Sequence, residues 1–486
     1  MQPIPEETPG AEILSELYID IDGTLLRTDL LHEAAWQYVK FAPWRALQLL
    51  AVLMLRGRAA LKSYLARKVC IDPARLPYEI GLIEYLKIQR DQGRPVVLIT
   101  ASHWRYARQI ARHVGLSSAS YGSSCRLNLK GSAKLAKIQA LSAGKPFVYA
   151  GNAPADRTIW NAAHKAILVN APHSDVRKEN RSGHAELVID SRPGAWRAFA
   201  RGMRVHQWAK NALLLVPLLT SHSYTDVHRT ALALLAFLVF GLCASGHYFL
   251  NDLLDLASDR GHTTKRRRPL ASGDLALPYG IAGAAILPAL AFAISLAALP
   301  WLFTLALAGY FALTNLYSFY LKRVSTADVV TLALLYTIRV VAGAAAITVV
   351  LSSWLLAFSV FMFVSLAYLK RYIEVSALMK GSKAAGRGYS EDDAETMFVL
   401  GIANSTAATV VLAFYISSSE VKALYHRPDV LWLLCLLMLY WSNRIWIGTR
   451  RGKINEDPVV FAMKDKVSRL VGLVAVAVVI AARLLP

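Results

Sequence analysis

Three aspartates followed by a run of cations form the segment of this chain with the clearest chemical meaning. Asp252, Asp255 and Asp259 end a long apolar stretch. The sequence Lys-Arg-Arg-Arg-Pro follows from Lys265. On a continuous helix the three carboxylates would lie within about 60° of one another. Like charges on one narrow face repel and resist burial at the end of a membrane helix. Because Mg²⁺ takes a few carboxylates together with phosphate oxygens, the segment predicts diphosphate chemistry at a membrane surface.

A second set of polar residues follows predicted strands nearer the N-terminus. Asp20 and Asp22 come directly after the apolar run 17–19, and Gly23 supplies the turn that exposes them. Thr100 ends a second buried-strand pattern, and Lys134 and Asp156 come later. Strands that end in polar residues and alternate with helical stretches predict a doubly wound α/β domain. Its site would lie at the carboxyl ends of the strands.

The order of these segments resembles the haloacid dehalogenase superfamily over roughly residues 15–175. The resemblance implies that Asp20 is the nucleophile, forming an aspartyl-phosphate, and that Asp22 is the general acid/base. Thr100 would bind the phosphate and Lys134 would neutralise it. Together with Asp20 and Asp22, Asp156 would hold Mg²⁺. This chemistry is consistent, because a carboxylate attacks phosphorus only when a metal and a lysine offset the charge repulsion.

Two features depart from the simplest phosphatase pattern. Asn152 stands where an aspartate is often found, which leaves the metal one anionic ligand fewer. A mostly helical insertion, about residues 29–90, lies in the position of a cap. Its apolar stretch 46–55 is too short to span a bilayer. We interpret it as a buried cap helix; the alternative is a cap that leans on the membrane to receive a lipid-linked substrate.

The composition divides the chain into a soluble part and a membrane part. Of its 486 residues 55% are hydrophobic, yet the first two hundred are unremarkable in composition. The net charge is +21, and the basic residues gather at the ends of apolar segments. Anionic lipids, membrane topology and anionic substrates therefore explain the charge better than nucleic acid does. The four cysteines include no CxxC pair and indicate neither a disulfide framework nor a zinc site.

Hydrophobic segments of spanning or near-spanning length begin at about residue 207. We count about nine, centred near residues 214, 240, 289, 311, 338, 362, 406, 437 and 475. Basic clusters follow every second segment, whereas the opposite loops are short and carry few charges. By the positive-inside rule this predicts a multi-pass protein of the bacterial inner membrane with a cytoplasmic N-terminal domain. The expected division is a phosphatase-like domain at 1–192, a linker at 193–206 and a membrane domain at 207–486.

The membrane part resembles the UbiA superfamily of intramembrane prenyltransferases over essentially residues 204–486. The matching segments are 204–211, 251–259, 267–273, 317–323 and 368–374. The resemblance implies an all-helical membrane bundle with a central cavity open to lipid. It also implies that Mg²⁺-diphosphate is held by Asn251, Asp252, Asp255 and Asp259.

One segment departs from members that use a prenyl diphosphate. They carry a second DxxxD motif where this chain reads Lys-Arg-Tyr-Ile-Glu at 370–374. Extra cations suit a donor with more phosphate and match the branch resembling decaprenyl-phosphate phosphoribosyltransferase. Such enzymes move 5-phosphoribose from phosphoribosyl pyrophosphate to a polyprenyl phosphate, with Asp252 and Asp255 at the catalytic metal. The candidate phosphate-binding cations are Lys210, Lys265, Arg267, Lys322, Arg339, Lys370 and Arg371.

Other functions stay open at this point. A UbiA-type prenyltransferase would join a polyprenyl diphosphate to an aromatic or other small acceptor, with Asp392, Asp393 or Asp465 supplying a second metal site. A membrane scaffold or transporter with a degenerate phosphatase domain would need neither metal. Three carboxylates kept together without a cation argue against the scaffold. In the favoured interpretation the fused phosphatase removes the 5-phosphate from the lipid product.

Overall fold

The computed structural model describes residues 15–376, 388–390, 392–454 and 458–484. The predicted topology cations Lys380, Lys383 and Arg387, and Asp457, lie outside these ranges. The chain forms two compact units. The first contains the chain up to Met203 together with Phe249–Gly283, so it includes the acidic segment. The second contains Arg204–Tyr248 and the chain from Ala284 onward.

A six-stranded parallel sheet forms the centre of the first unit, in the order β3-β2-β1-β4-β5-β6. The strands are β1 (Glu16–Ile19), β2 (Val96–His103), β3 (Ala119–Ser123), β4 (Phe147–Gly151), β5 (Lys165–Val169) and β6 (Ala185–Ile189). The central strands are nearly continuous apolar runs because both of their faces are covered. The chain order reverses at β1, which lies between β2 and β4. The predicted doubly wound fold is therefore confirmed, and the switch point beside β1 is where such folds place their site.

Helices cover the sheet and build the insertion at 29–90. They are α1 (Leu30–Val39), α2 (Arg45–Lys68), α3 (Ile80–Asp91), α4 (Trp104–Val114), α5 (Ser132–Ser142), α6 (Arg157–Trp160), α7 (His173–Arg181) and α8 (Ala195–Met203). Asp29 begins α1, because its carboxylate accepts hydrogen bonds from the N–H groups of Leu31 and His32. Gly57, with φ of 75°, interrupts α2 and redirects its second half.

The two halves of α2 face different surroundings. Leu61 and Leu65, after the interruption, are buried in the core. Before it, Leu50 and Met54 are among the exposed apolar side chains. The interpretation of 46–55 as a buried cap helix is therefore wrong for this face of the helix.

The remaining elements of the described chain are helices and turns. The helices are α9 (Val216–Thr220), α10 (Val227–Leu254), α11 (Leu256–Arg260), α12 (Leu277–Ala298), α13 (Trp301–Phe319), α14 (Ala327–Ala346), α15 (Ser353–Ser376), α16 (Asp393–Ser417), α17 (Ser419–Leu424), α18 (Leu433–Arg450), α19 (Pro458–Lys464) and α20 (Lys466–Leu484). Among the described residues, eight helical segments are long and apolar enough to cross a membrane. They are α10, α12 to α16, α20, and α18 with the turn that precedes it from Pro428.

The predicted segment near residue 214 is not a spanning helix. It folds as a 3-10 helix, Val205–Leu215, followed by the five-residue α9. Gly343 of α14 packs directly against this segment, because a Cβ at that position would lie 2.1 Å from the carbonyl oxygen of Leu214. Gly343 therefore allows α14 to pack closely against this segment.

Candidate active sites

The sheet brings the predicted phosphatase residues together at one edge. Asp20 and Asp22 follow β1, Thr100 lies in β2, and Asp156 lies just beyond β4. Lys134, from α5, places its Nζ 3.0 Å from Oδ1 of Asp20 and 3.9 Å from Oδ1 of Asp156. Asp20, Thr100, Lys134 and Asp156 are all buried. These contacts are those that an attacking carboxylate and its neutralising lysine require.

Asp22 is held in place by two donors. The Thr100 hydroxyl donates to its Oδ2 at 2.8 Å, and the N–H of Leu30 donates to its Oδ1 at 2.9 Å. The Thr100 oxygen itself accepts a hydrogen bond from the Ser102 N–H. Burial, and then the nearby Asp29 carboxylate, raise the pKa of Asp22. A raised pKa favours the protonated form, which a general acid needs.

Asp156 orients Lys134 through a tyrosine. Its Oδ1 accepts a hydrogen bond from the Tyr149 hydroxyl at 2.8 Å, and Lys134 donates to that hydroxyl at 2.9 Å. Its Oδ2 accepts from the N–H groups of Asn152 and Ala153. Both oxygens are therefore engaged, and the geometry favours a positioning role for Asp156 over direct metal coordination.

The charges of this site suit a divalent cation. Asp20 and Asp156 share Lys134, and burial raises the pKa of Asp20 to about 7, although Lys134 opposes the shift. In the described parts of the chain, no three Asp, Glu, His or Cys side chains alone are arranged to hold a metal. Mg²⁺ commonly keeps water and phosphate oxygens beside one or two carboxylates, so Asp20 and Asp22 fit that requirement. The Asn152 amide lies against the same turn, where its Oδ1 accepts a hydrogen bond from Thr24.

Lys62 is a site residue that the sequence analysis missed. It comes from the second half of α2, and its Nζ donates to the Ala101 carbonyl oxygen and to Oδ1 of Asn128. Burial lowers its pKa, while the Asp22 carboxylate opposes that shift. Its place in the insertion, far from the strand motifs, gave no local signal for this role.

The acidic segment departs from the continuous helix that its spacing predicted. Helix α10 ends at Leu254, and Asp255 lies between α10 and α11 with φ of −90° and ψ of 6°. The expectation of three aspartates on one helical face is therefore wrong. Asp252 and Asp259 nevertheless converge, because Nη1 of Arg268 lies 3.2 Å from Oδ1 of Asp252 and 2.6 Å from Oδ2 of Asp259.

Arg268 provides the positive charge next to the buried aspartates of this site. Asp252 and Asp259 are each only 2% exposed, so their charges require compensation. Burial raises the pKa of Asp259, and Arg268 opposes that shift. The two buried carboxylates fit Mg²⁺, whose remaining ligands would be substrate phosphate oxygens and water. In the structure the guanidinium of Arg268 provides the positive charge beside them. Asn251 and Asp255 are half-buried beside them.

The cations favoured in the sequence analysis differ in their surroundings. Lys265 and Arg267 are exposed on a short 3-10 helix, whereas Arg268, which the sequence did not single out as a ligand, is half-buried and pairs with the aspartates. Lys210, Lys322 and Lys370 are half-buried in the second unit. The distinguishing signal was the proline after Arg268, which ends the short helix and turns that side chain differently.

Arg371 is fully buried and ion-paired. Its guanidinium contacts the carboxylates of Asp328 and Glu374, and it donates to the Tyr317 hydroxyl at 2.9 Å. These partners lie on α13, α14 and α15 itself. The contacts favour a role in fixing three helices together rather than direct binding of phosphate.

Arg339 lies among aromatic rings in the middle of α14. The guanidinium carbon is 4.9 Å from the ring centre of Tyr310, 5.3 Å from Phe240 and 5.7 Å from Tyr336. Its Nε donates to Oδ1 of Asn211 at 3.1 Å. Within the part of the chain that the structure describes, none of its partners is anionic. Arg339 therefore has buried neutral partners, and its role in binding phosphate stays a prediction.

Two known families match the chain in the regions just described. The UbiA prenyltransferase family matches residues 213–464, and the haloacid dehalogenase-like hydrolases match residues 17–159. Fold and sites define a multi-pass membrane enzyme that combines a transferase with a phosphatase-type domain. The chain belongs to the UbiA prenyltransferase family and carries an N-terminal haloacid dehalogenase-like domain.

Three relatives illustrate the match. Protein y4nM of Sinorhizobium fredii is 35% identical over 470 residues, covering 96% of this chain and 90% of that protein. Nodulation protein NoeC of Azorhizobium caulinodans is 34% identical over 269 residues, covering 55% of this chain and 87% of its own. Decaprenyl-phosphate phosphoribosyltransferase of Mycobacterium tuberculosis is 28% identical over 292 residues, covering 58% of this chain and 93% of that protein.

Proposed function

We propose that the membrane domain transfers 5-phosphoribose from phosphoribosyl pyrophosphate to a polyprenyl phosphate. The observation that carries this proposal is the ion-paired Arg371. In the segment 370–374, where prenyl diphosphate-dependent relatives are expected to carry a second DxxxD motif, Arg371 contacts Glu374 and also Asp328 of α14. These carboxylates are therefore neutralised by an internal ion pair, which disfavours a second metal there. The similarity to the mycobacterial phosphoribosyltransferase supports the same donor.

Asp252, Asp259 and Arg268 would receive the diphosphate end of the donor. Mg²⁺ bound by the two carboxylates would supply charge neutralisation to the diphosphate leaving group. Arg268 is placed to hold a phosphate oxygen next to the aspartates. The acceptor phosphate oxygen forms a bond to the anomeric carbon as the bond to diphosphate breaks. No protein nucleophile is required, so the chain contributes orientation and charge stabilisation.

The phosphatase domain would then hydrolyse the 5-phosphate of the lipid product. Asp20 attacks phosphorus, and the bond between phosphorus and the sugar oxygen breaks while Asp22 gives that oxygen a proton. Lys134 offsets the negative charge beside Asp20. Water then cleaves the aspartyl-phosphate, with Asp22 accepting the proton. Thr100 keeps Asp22 in position throughout.

A prenyltransferase with a prenyl diphosphate donor is the second candidate, favoured by the family match itself. It requires another group of carboxylates to hold metal. Asp465 is ion-paired with Arg444 and accepts hydrogen bonds from Ser468, and Asp393 accepts the N–H of Ser390. These carboxylates act in local helix capping, which makes this candidate the weaker one.

The test incubates purified protein with Mg²⁺, polyprenyl phosphate and radiolabelled phosphoribosyl pyrophosphate, and then extracts the lipids. Label in the organic phase should disappear with EDTA and in Asp252→Ala. The Asp20→Asn variant should accumulate lipid that still carries the 5-phosphate, whereas Asp91→Asn, an exposed acid of α3, should behave as the parent protein. Transfer from a prenyl diphosphate to an aromatic acceptor instead would establish the second candidate.

We also propose the bacterial inner membrane as the location, with the phosphatase domain in the cytoplasm. Basic clusters follow α10, α13, α15 and α18, and the phosphatase domain forms one compact unit with the segment that follows α10, so it would lie on the same side as those clusters. Protease added to inverted inner-membrane vesicles should cleave this domain, whereas protease added to intact spheroplasts should not. The opposite pattern would reverse the orientation.

A further inference from the structure

The start of the cap insertion exposes an apolar surface that the proposed activities do not use. Its large side chains are between 54 and 83% exposed. They are Phe41, Trp44, Leu47, Leu50, Met54 and Leu55, which we call the apolar cap face. On α2, Leu47, Leu50 and Met54 recur at three- and four-residue intervals and so share one side of the helix, and Leu55 adjoins Met54. A patch of this kind on a soluble domain indicates an interaction site.

The charges around the apolar cap face identify the kind of partner. Residues 34–71 contain no aspartate or glutamate. They contain seven basic residues: Lys40, Arg45, Arg56, Arg58, Lys62, Arg67 and Lys68. Lys40 and Arg45 border one end of the face, and Arg56 and Arg58 border the other. A helix with an apolar side, aromatic residues at its start and cations at both ends is typical of helices that lie in a membrane surface.

Contacts inside the first unit place this face near the membrane. The indole N–H of Trp36, in α1, donates to the carbonyl oxygen of Leu253 at 2.8 Å. Leu253 lies in the last turn of α10, which is long and apolar enough to span a bilayer. Phe41 follows Trp36 by five residues, a helical rise of about 8 Å. The apolar cap face therefore begins close to the point where α10 leaves the membrane.

We propose that residues 41–55 lie in the head-group region of the bilayer, with the apolar cap face among the acyl chains of an anionic leaflet. Leu49, Val52 and Leu53, on the other side of the helix, pack against the domain core. The helix therefore joins the domain to the lipid surface. The interruption at Gly57 lets the second half of α2 turn back to the core, where Lys62 reaches the phosphatase site.

The test uses the full chain in vesicles that contain phosphatidylglycerol. Cys70 and Cys125 are exposed, so both are first replaced with serine. A single cysteine then replaces Leu50 or, as the matched control, Ile88, an apolar residue with 56% exposure on α3, which carries acidic as well as basic residues. Each cysteine carries an environment-sensitive fluorophore. Quenching is compared between nitroxide-bearing lipid and aqueous iodide.

The label at position 50 should be quenched at least twofold by nitroxide lipid and little by iodide, with the reverse at position 88. Exchanging phosphatidylglycerol for phosphatidylcholine should reduce the lipid quenching at position 50. Iodide quenching at both positions would overturn the proposal. Protection from both quenchers would overturn it as well; loss of that protection on dilution into excess lipid would show that a second copy of the chain covers the face.

Discussion

Replacing Glu33 with glutamine should loosen the attachment of the acidic segment to α1. Glu33 is 1% exposed, and its carboxylate accepts hydrogen bonds from Arg260 at 2.6 and 3.1 Å and from the Thr28 hydroxyl at 2.7 Å. Removing one partner of a buried ion pair costs about 3–5 kcal/mol because the other charge stays buried. Glutamine retains the volume and one acceptor, so we expect about 3 kcal/mol. That corresponds to roughly a 100-fold increase in the local opening equilibrium.

Hydrogen exchange of the full chain in detergent measures this opening directly. Peptides covering 256–275 should exchange up to about 100-fold faster in Glu33→Gln, whereas those covering β2 should be unchanged. The matched control is Asp91→Asn, which removes an exposed pair with Arg90 at 2.8 Å. Exposed pairs contribute about 0–1 kcal/mol, so less than a sixfold change is expected there.

The double variant Glu33→Gln/Arg260→Gln separates the ion pair from other effects. With both charges removed, part of the lost protection should return, because no unpaired charge stays buried. Unchanged exchange of 256–275 in Glu33→Gln, with β2 still protected, would refute the reasoning: the pair would then not hold the acidic segment.

Three further predictions concern both units. The Mg²⁺ concentration that half-saturates phosphatase activity should fall about tenfold from pH 6 to pH 8. Because burial raises the pKa of Asp20 to about 7, a proton competes with the cation below that pH; an equal requirement at both values would contradict this. Thr100→Val should lower phosphatase kcat about 100-fold by releasing Asp22, and Thr100→Ser should restore most of it, with lipid transfer unchanged. Gly343→Ala should lower the melting temperature through about 1–3 kcal/mol of overpacking against Leu214, whereas Gly472→Ala, which has open space, should not.

The strand-end residues were predictable because parallel strands obey simple rules. Asp20 and Thr100 were assigned to one site from apolar runs that end in polar residues, and Lys134 was added by the resemblance to haloacid dehalogenases; the structure brings the three together. The convergence of Asp252 and Asp259 was also expected, but through the wrong geometry. A spacing of three and four residues fits an unbroken helix, whereas the turn at Asp255 allows Arg268, nine residues beyond Asp259, to bridge the two carboxylates.

Apolar character alone does not tell what a segment faces. The segment near residue 214 contains the apolar run 212–216, yet it folds as a short 3-10 helix against Gly343. Residues 46–55 have the composition of a core helix, but Leu50 and Met54 are exposed. Which side is covered depends on tertiary neighbours far along the chain. The role of Lys62 could not be predicted for the same reason, because its partners Ala101 and Asn128 belong to other parts of the fold.

The ion pair between Glu33 and Arg260 also sets an order of events during synthesis. The two residues are separated by 227 positions. At about 5–20 residues per second, Glu33 leaves the ribosome roughly 10 to 45 seconds before its partner is made. During that interval the Glu33 carboxylate has no guanidinium partner. Helix α10 is synthesised first, and α11, which carries Arg260, follows it. The first unit can therefore be completed only after the ribosome has synthesised the first spanning helix of the membrane domain.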